Sequence, residues 1–425
     1  MNDSPGFGSR KAAQDILSEV LRRRRPLDVA LEACARLEVR DAGFARAIAS
    51  ETLRRLGQLD ALIKVFAPKP PQPHRAGPTL EILLAGACEL MFLDVAAHAA
   101  VDGANRLAQA DSKAVHFKPL INAVLRRVAE KGRDILAQQD AARLATPDWL
   151  WRSWRGAYGE ATARAIAMAH LRQAPLDLVC RGEPPDGAQR LFADVVRFQR
   201  PPALETLAGF AAGEFWVQDV AASLPARLLG DVRGARVIDL CAAPGGKTAQ
   251  LAAAGAEVIA VERDAARMER LKGNLERLKL KATLVNEDLR NVRFDAAPFV
   301  LLDAPCSATG TIRRHPDIPW IKDASDVTLC EAAATELLAC AADMVAPGGL
   351  LVFAVCSLEP EEGPEQAEAF LARHRDFRRV PLAANETFGH PEFLNASGDL
   401  RTLPCHLSDL GGMDGFYAAR FRRNS

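Results

Sequence analysis

Apolar positions recur at helical spacing through the first third of the chain. Ile16, Leu17, Val20 and Leu21 form one such series, and Phe44, Ile48, Leu53, Leu56, Leu59, Ile63 and Phe66 another. A proline-rich connector over 68–78 breaks the pattern, and helical stretches resume at 80–93, 96–110 and 119–128. Nothing between Lys11 and Leu136 alternates as a strand would. The pattern therefore predicts an all-α domain over 8–137, with about six or seven helices. A polar linker at 138–145 leads to a small α+β subdomain over 146–213, with strands at 174–180 and 194–198. Trp149, Trp151 and Trp154 stand close together at its start. Such residues anchor a helix in a core more often than they stack nucleic-acid bases.

From 214 to 425 the period changes. Short β-prone runs at 235–240, 257–261, 282–285, 299–303, 350–355 and 415–421 alternate with helical runs at 247–254, 265–278 and 327–344. Strands and helices in turn predict a doubly wound, mostly parallel α/β sheet of Rossmann-like type. Ligands of such sheets bind beyond the carboxyl ends of the strands. Asp239, Glu262, Asp288, Asp303 and Cys356 all fall at or just after those ends, so one composite site is expected there.

Composition narrows the class. The 425 residues are 49% hydrophobic, enough for two or three globular domains. The first residues lack a basic and then apolar leader, and the longest apolar stretch, near 80–93, is interrupted by Glu81 and Glu89. A cytoplasmic protein with no membrane partner is expected. Nine cysteines, an odd number without a Cys-x-x-Cys pair, argue against a disulfide framework and against a zinc site, and no metal is expected. The 54 basic residues balance the 54 acidic ones. Any RNA contact must then use local patches: 22–25, Arg126-Arg127, Arg313-Arg314-His315, or Arg420 with Arg422 and Arg423.

The stretch Val237 to Thr248 organises the second half. An apolar run ends in Asp239 and breaks at Pro244-Gly245-Gly246, after which helix formers return. Glycines let a backbone approach a ligand, and the helix beyond offers unpaired N–H groups. Gly246-Lys247-Thr248 suggests the phosphate loop of NTPases, yet that loop needs a glycine where Cys241 stands. Glu262, at the end of the next strand, lies where an acid would meet a ribose hydroxyl, which implies an adenosine-containing cofactor. Cys306 and Cys356 also end strands. A thiol beside a nucleotide site can serve as a nucleophile, whereas most cysteines are small buried hydrophobes.

Specific motifs extend this reading. Asp239-Leu-Cys-Ala-Ala-Pro-Gly-Gly-Lys-Thr, Asp303-Ala-Pro-Cys-Ser-Ala-Thr-Gly, Arg313-Arg-His-Pro-Asp, Cys356-Ser-Leu-Glu-Pro-Glu-Glu and Asp414-Gly-Phe-Tyr-Ala together resemble the NOL1/NOP2/Sun family of RNA cytosine-C5 methyltransferases. The front end, with Asp41-Ala-Gly-Phe-Ala-Arg, Ala97-His-Ala-Ala-Val and Ile121-Asn-Ala-Val-Leu-Arg-Arg, is similar to the NusB-type RNA-binding domain. The resemblance implies a class I methyltransferase domain over 214–425 that uses S-adenosylmethionine. It implies 16S rRNA as substrate and a monomer without a stable protein partner.

The resemblance also implies residue roles. Cys356 would add to C6 of the cytosine, Cys306 would help remove the C5 proton and release the product, and Asp303 would bond the N3 edge. Lys247 would orient Asp303 or contact substrate. Cys241, Ala242, Ala243, Pro244, Gly245, Gly246 and Lys247 would hold the methionine end of the cofactor. Glu262 would take the ribose, Asp288 the adenine amino group, and Asp303 would border the same site. The family commonly has Asp where this chain has Glu262. Three other readings stay open on the motifs: a tRNA cytosine methyltransferase, an NTPase using Lys247 and Asp303, and a non-catalytic RNA-binding factor.

Overall fold

The structure, a computed structural model, describes residues 6–69 and 71–425. It divides into two compact units, the first being the chain up to Leu171 together with Ile312–Asp323, the second Arg172–Thr311 with Ala324–Ser425.

The first unit is helical among its described residues. Its longer helices are Phe7–Arg23, Val39–Arg54, Leu56–Phe66, Thr79–Phe92, Ala97–Gln109, Lys118–Ala137 and Asp148–His170. Thr79–Phe92 is buried along nearly its whole length. The two glutamates that interrupt its apolar run are buried with it, and each is neutralised by a guanidinium. Arg10 forks onto Glu89 with its Nη2 at 2.6 Å, and Arg22 onto Glu81 at 2.5 Å. Charges taken out of water persist only when paired in this way. Burial still pushes the Glu89 carboxyl above its ordinary range, against the pull of Arg10. Trp151 and Trp154 are buried, as core anchors should be. The sequence 138–145, expected as a linker, contains a short helix, Ala141–Leu144, capped by the Asp140 side chain.

One sequence expectation changes here, and one candidate patch finds its place. The subdomain expected over 146–213 is divided: helix Asp148–His170 belongs to the first unit, and the strands that follow belong to the second. The two helical segments of Asp148–His170, which meet at the non-helical Gly159, join other helices, whereas short strands must find a sheet. The basic stretch around Arg313, one of the candidate patches for RNA, is integrated into the first unit. Trp320 donates to the Leu53 carbonyl at 2.9 Å, the Leu27 N–H donates to Asp317 at 2.9 Å, and Arg54 donates to the Arg313 carbonyl at 2.8 Å. Arg313 is buried and Arg314 is exposed.

The second unit holds two sheets. In the smaller, β1 (Leu176–Cys180), β2 (Gln189–Phe192), β3 (Val195–Phe198) and β4 (Phe215–Val217) run antiparallel in the order β2-β3-β1-β4. Arg197 and Asp177, both fully buried, form a forked pair at 2.6 and 2.7 Å across β1 and β3. The larger sheet contains β5 (Arg236–Leu240), β6 (Glu257–Val261), β7 (Thr283–Val285), β8 (Ala297–Asp303), β9 (Val345–Val355), β10 (Phe377–Arg379), β11 (Leu400–Thr402) and β12 (Phe416–Arg423). Its order is β10-β12-β9-β8-β5-β6-β7, with β11 paired to β12. Strands β7, β6, β5, β8 and β9 are parallel, and β12 is antiparallel to β9.

Alternate residues of β9 enter different cores. Leu350, Val352 and Ala354 share one core cluster with Leu224 and Ala226 of the helix Leu224–Arg227, whereas Leu351, Phe353 and Val355 share the other with residues of Ala324–Asp343 and Pro364–Arg373. A strand covered on both faces reads as an unbroken apolar run, which is how this one reads. The chain moves outward from β5 through β6 to β7, then returns to β8 on the other side of β5. That reversal opens a crevice at the carboxyl ends of β5 and β8.

Candidate active site

Each side of the crevice is built by a strand that stops short. After β5 the chain turns at Cys241, which has a φ of 59°, and at Gly245, with a φ of 101°. A left-handed residue at Gly245 must lack a Cβ, since one would also press on the Leu271 side chain at 3.0 Å. The helix Ala265–Leu278 holds the turn from behind, Asn274 donating to the Pro244 carbonyl at 2.9 Å and Arg267 to the Ala243 carbonyl at 2.5 Å. The turn leads into helix Gly246–Ala253. Thr248, in its first turn, donates to buried Asp239 at 2.6 Å, while the other Asp239 oxygen has no hydrogen-bond partner. Burial pushes the Asp239 carboxyl up to about 7, despite the Thr248 bond.

A cavity of about 290 Å³ lies in the crevice. Of the residues singled out in the sequence, Cys241, Glu262, Asp288, Asp303, Cys306 and Cys356 line it. Ala242, Ala243, Pro244, Gly245 and Gly246 form the turn behind it and are not part of that lining. Lys247 reaches the site through Asp303, its Nζ lying 2.8 Å from Oδ2. The NTPase reading would have this lysine serve a phosphate, but it is occupied by the carboxylate.

The acids differ in their surroundings. Glu262 is buried, one oxygen accepting the Asp264 N–H at 3.0 Å and the other having no hydrogen-bond partner, with Arg267 at 3.7 Å. Asp288 is forked by Arg290 at 2.9 and 2.6 Å, and that guanidinium holds its carboxyl down at about 2. The cysteines face each other. Sγ of Cys306 and Sγ of Cys356 are 3.5 Å apart at the ends of neighbouring parallel strands. Contact with Cys356, then burial, then the charge of Glu362 push the Cys306 thiol well above the ordinary range. Burial pushes Cys241 up to about 12.

Several participants were not singled out from the sequence. Arg263, Arg267, Glu287 and Leu337 also line the cavity. Buried Ser307 and Ser357 follow the two cysteines, and Glu362 meets both. Glu362 lies inside the quoted Cys356 motif, but in a run containing Glu359, Glu361 and Glu362 no spacing rule says which one turns inward. The basic patches fare unevenly. Arg23 and Arg25 pair with Glu19, Arg24 with Asp323, Arg420 with Glu386 and Arg423 with Asp376, whereas Arg126 and Arg127 are exposed on helix Lys118–Ala137.

A doubly wound sheet with a glycine turn after β5 and a cavity lined by Glu262 and the Asp303-Ala-Pro-Cys306 strand end has the architecture of a Rossmann-like methyltransferase. The family described as 16S rRNA methyltransferase RsmB/F matches residues 226–422, and the NusB family matches 8–130. The ribosomal RNA small subunit methyltransferase B of Pseudomonas putida is 35% identical over 438 residues, covering 97% of each chain. That of Pasteurella multocida is 32% identical, covering 98% of this chain and 96% of its own. The fold of the crystal structure of PH0851 spans 99% of both chains with a TM-score of 0.76 at 23% identity. The chain belongs to the RsmB/F family of rRNA methyltransferases, with a NusB-type helical domain at its front. Among the described residues, no helix is long and apolar enough to cross a membrane.

Proposed function

We propose that this chain methylates C5 of a cytosine in 16S rRNA, using S-adenosylmethionine and a transient bond between Cys356 and C6 of the base. The observation that carries this reading is the 3.5 Å approach of two thiols at adjacent strand ends, inside the cavity lined by Asp303 and Glu262. The cofactor fits what is present: a buried Glu262 oxygen without a partner suits a ribose hydroxyl, and Asp288 lines the same cavity. The turn 241–246, with Lys247, would hold the methionine end. Bound there, S-adenosylmethionine would supply the methyl group as an electrophile.

The protein must do the rest. C5 of cytosine is a poor nucleophile, and adding the Cys356 sulfur to C6 pushes electron density onto it. Asp303 would hold a proton at N3 while that charge develops, with Lys247 fixing the carboxylate's orientation at 2.8 Å. Cys306, whose contact with the free Cys356 sulfur opposes its ionisation only until that sulfur is bonded to C6, would serve the later step as a thiolate: it takes the C5 proton while the C6–sulfur bond breaks, its electron pair returns to Cys356, and the proton then passes to solvent. A base within a helix would have to be flipped out to reach these groups. Exposed Arg126 and Arg127 would give the helical domain a hold on phosphates.

The test is nucleoside mass spectrometry of 16S rRNA from cells with and without the gene. One 5-methylcytidine is expected to disappear with the gene and to return on incubation with the purified protein and S-adenosylmethionine. Unchanged 16S rRNA, with a loss in tRNA instead, would reject the substrate.

A further inference from the structure

The two cysteines come from different strand ends, and neither loop by itself determines the gap between their sulfurs. A single buried carboxylate spans both loops. The Ser307 N–H donates to Oε1 of Glu362 at 2.7 Å, and the Ser307 hydroxyl donates to Oε2 at 2.6 Å. The Ser357 hydroxyl donates to the same Oε2. Ser307 and Ser357 are fully buried and Glu362 is 1% exposed. The network closes on itself: Ser357 Oγ accepts the Glu359 N–H at 3.0 Å and lies 3.3 Å from Thr309 Oγ1, which accepts the Leu358 N–H at 3.0 Å.

This arrangement requires an acceptor on both oxygens, which an ionised carboxylate provides and an amide does not. Burial raises the Glu362 carboxyl, but the bonds from Ser307 and Ser357 favour its charged form. Its charge also opposes ionisation of Cys306. One buried group thus acts on the placement of both thiols and on the state of one.

We propose that Glu362 is a positioning residue whose carboxylate ties the loop after β8 to the loop after β9, and so sets the thiol separation needed to resolve the Cys356 adduct. The proposal rests on the covalent reading above, but half of its test does not. In the full chain without RNA, a diazene oxidant takes two electrons and two protons from the thiols and leaves a Cys306–Cys356 disulfide, which peptide mass spectrometry maps. Glu362→Gln should slow this closure about tenfold or more, since an ångström of misplacement costs up to about 10²-fold in rate. Closure at the wild-type rate would overturn the positioning role.

In turnover, the same variant should keep its KM for rRNA and its affinity for S-adenosylmethionine while kcat falls about tenfold or more. An RNA-linked protein band should build up on a denaturing gel. Parallel loss of cofactor affinity, kcat and melting temperature would mean general fold support and overturn the proposal. Ser357→Ala, which removes one strand of the tie, should slow disulfide closure by a smaller factor, and an unchanged rate there would also count against it. Slowed closure without any RNA-linked band, in this variant or in Cys306→Ala, would support the positioning role and overturn the covalent reading instead.

Discussion

The two sides of the cavity are built to different tolerances. On the sulfur side, the loops after β8 and β9 are joined by buried hydroxyls, a buried carboxylate and backbone bonds, including Gly310 N–H to the Cys356 carbonyl at 3.0 Å. A Cβ at Gly310 would stand 1.9 Å from the Gly415 carbonyl oxygen, so these segments are in direct contact. On the acid side, Asp288 is held by the partly exposed Arg290, and Glu262 keeps one oxygen without a hydrogen bond. Bond formation between sulfur and carbon demands placement within a fraction of an ångström, and buried networks supply it. Ligand binding tolerates adjustment, and solvent-facing pairs permit it.

That contrast can be broken by substitution. Cys356→Ala should reduce methylation by on the order of 10⁴-fold or more, as loss of a nucleophile does. Calorimetry should meanwhile find the affinity for S-adenosylmethionine unchanged; normal residual turnover would remove Cys356 from its assigned role. Cys306→Ala should cut turnover by about 10²–10⁴-fold, the usual worth of a proton-transfer group. It should also leave an RNA-linked species visible on a denaturing gel, and a clean gel would separate the two sulfurs' roles differently. On the other side, Glu262→Ala should weaken cofactor affinity by about 10–100-fold, the worth of hydrogen bonds to a charged group, with kcat little altered at saturation. A collapse of kcat at saturating cofactor would mean that the acid side is as exacting as the sulfur side.

The smallest effect on turnover is expected at Asp239, between the two sides, and it appears in the pH dependence of stability. Its carboxyl is raised in the folded chain to about 7, against about 3.9 unfolded. Between those values the folded state binds more protons, so this group's contribution to stability is fully present below pH 4 and is lost as pH rises through 7. Asp239→Asn should therefore gain melting temperature relative to the parent chain as pH is raised from 5 to 8. A gap that stays constant over that range would refute the shifted carboxyl.

Much of the fold was legible in the order of residues. Glu257–Val261 and Ala265–Leu278 have in the structure the bounds expected from the sequence, because the first is a short apolar run of mostly β-branched residues and the second carries a helical period that starts at its Asp264 cap. The short strands Phe377–Arg379 and Leu400–Thr402 were not, since three residues show no period and are held by pairing with β12. Cysteines and acids at strand ends were legible as a group because parallel topology sends all such ends to one edge. The partner of each was not. That Arg290 belongs to Asp288 and that Glu362 rather than Glu361 faces the serines are facts of side-chain direction, and so is the meeting of Lys247 with Asp303, which the motifs offered only as one of two roles.

The chain by itself determined the two fold types, the glycine turn after β5 and the identity of the chemical groups, because periodicity and backbone conformation are local properties. Tertiary structure alone decided that Ile312–Asp323 belongs with the helices and that helix Asp148–His170 leaves the expected subdomain. It also decided that two thiols fifty positions apart come within 3.5 Å. Those outcomes depend on which buried polar groups find partners across long loops, a condition satisfied only when all the elements are packed at once.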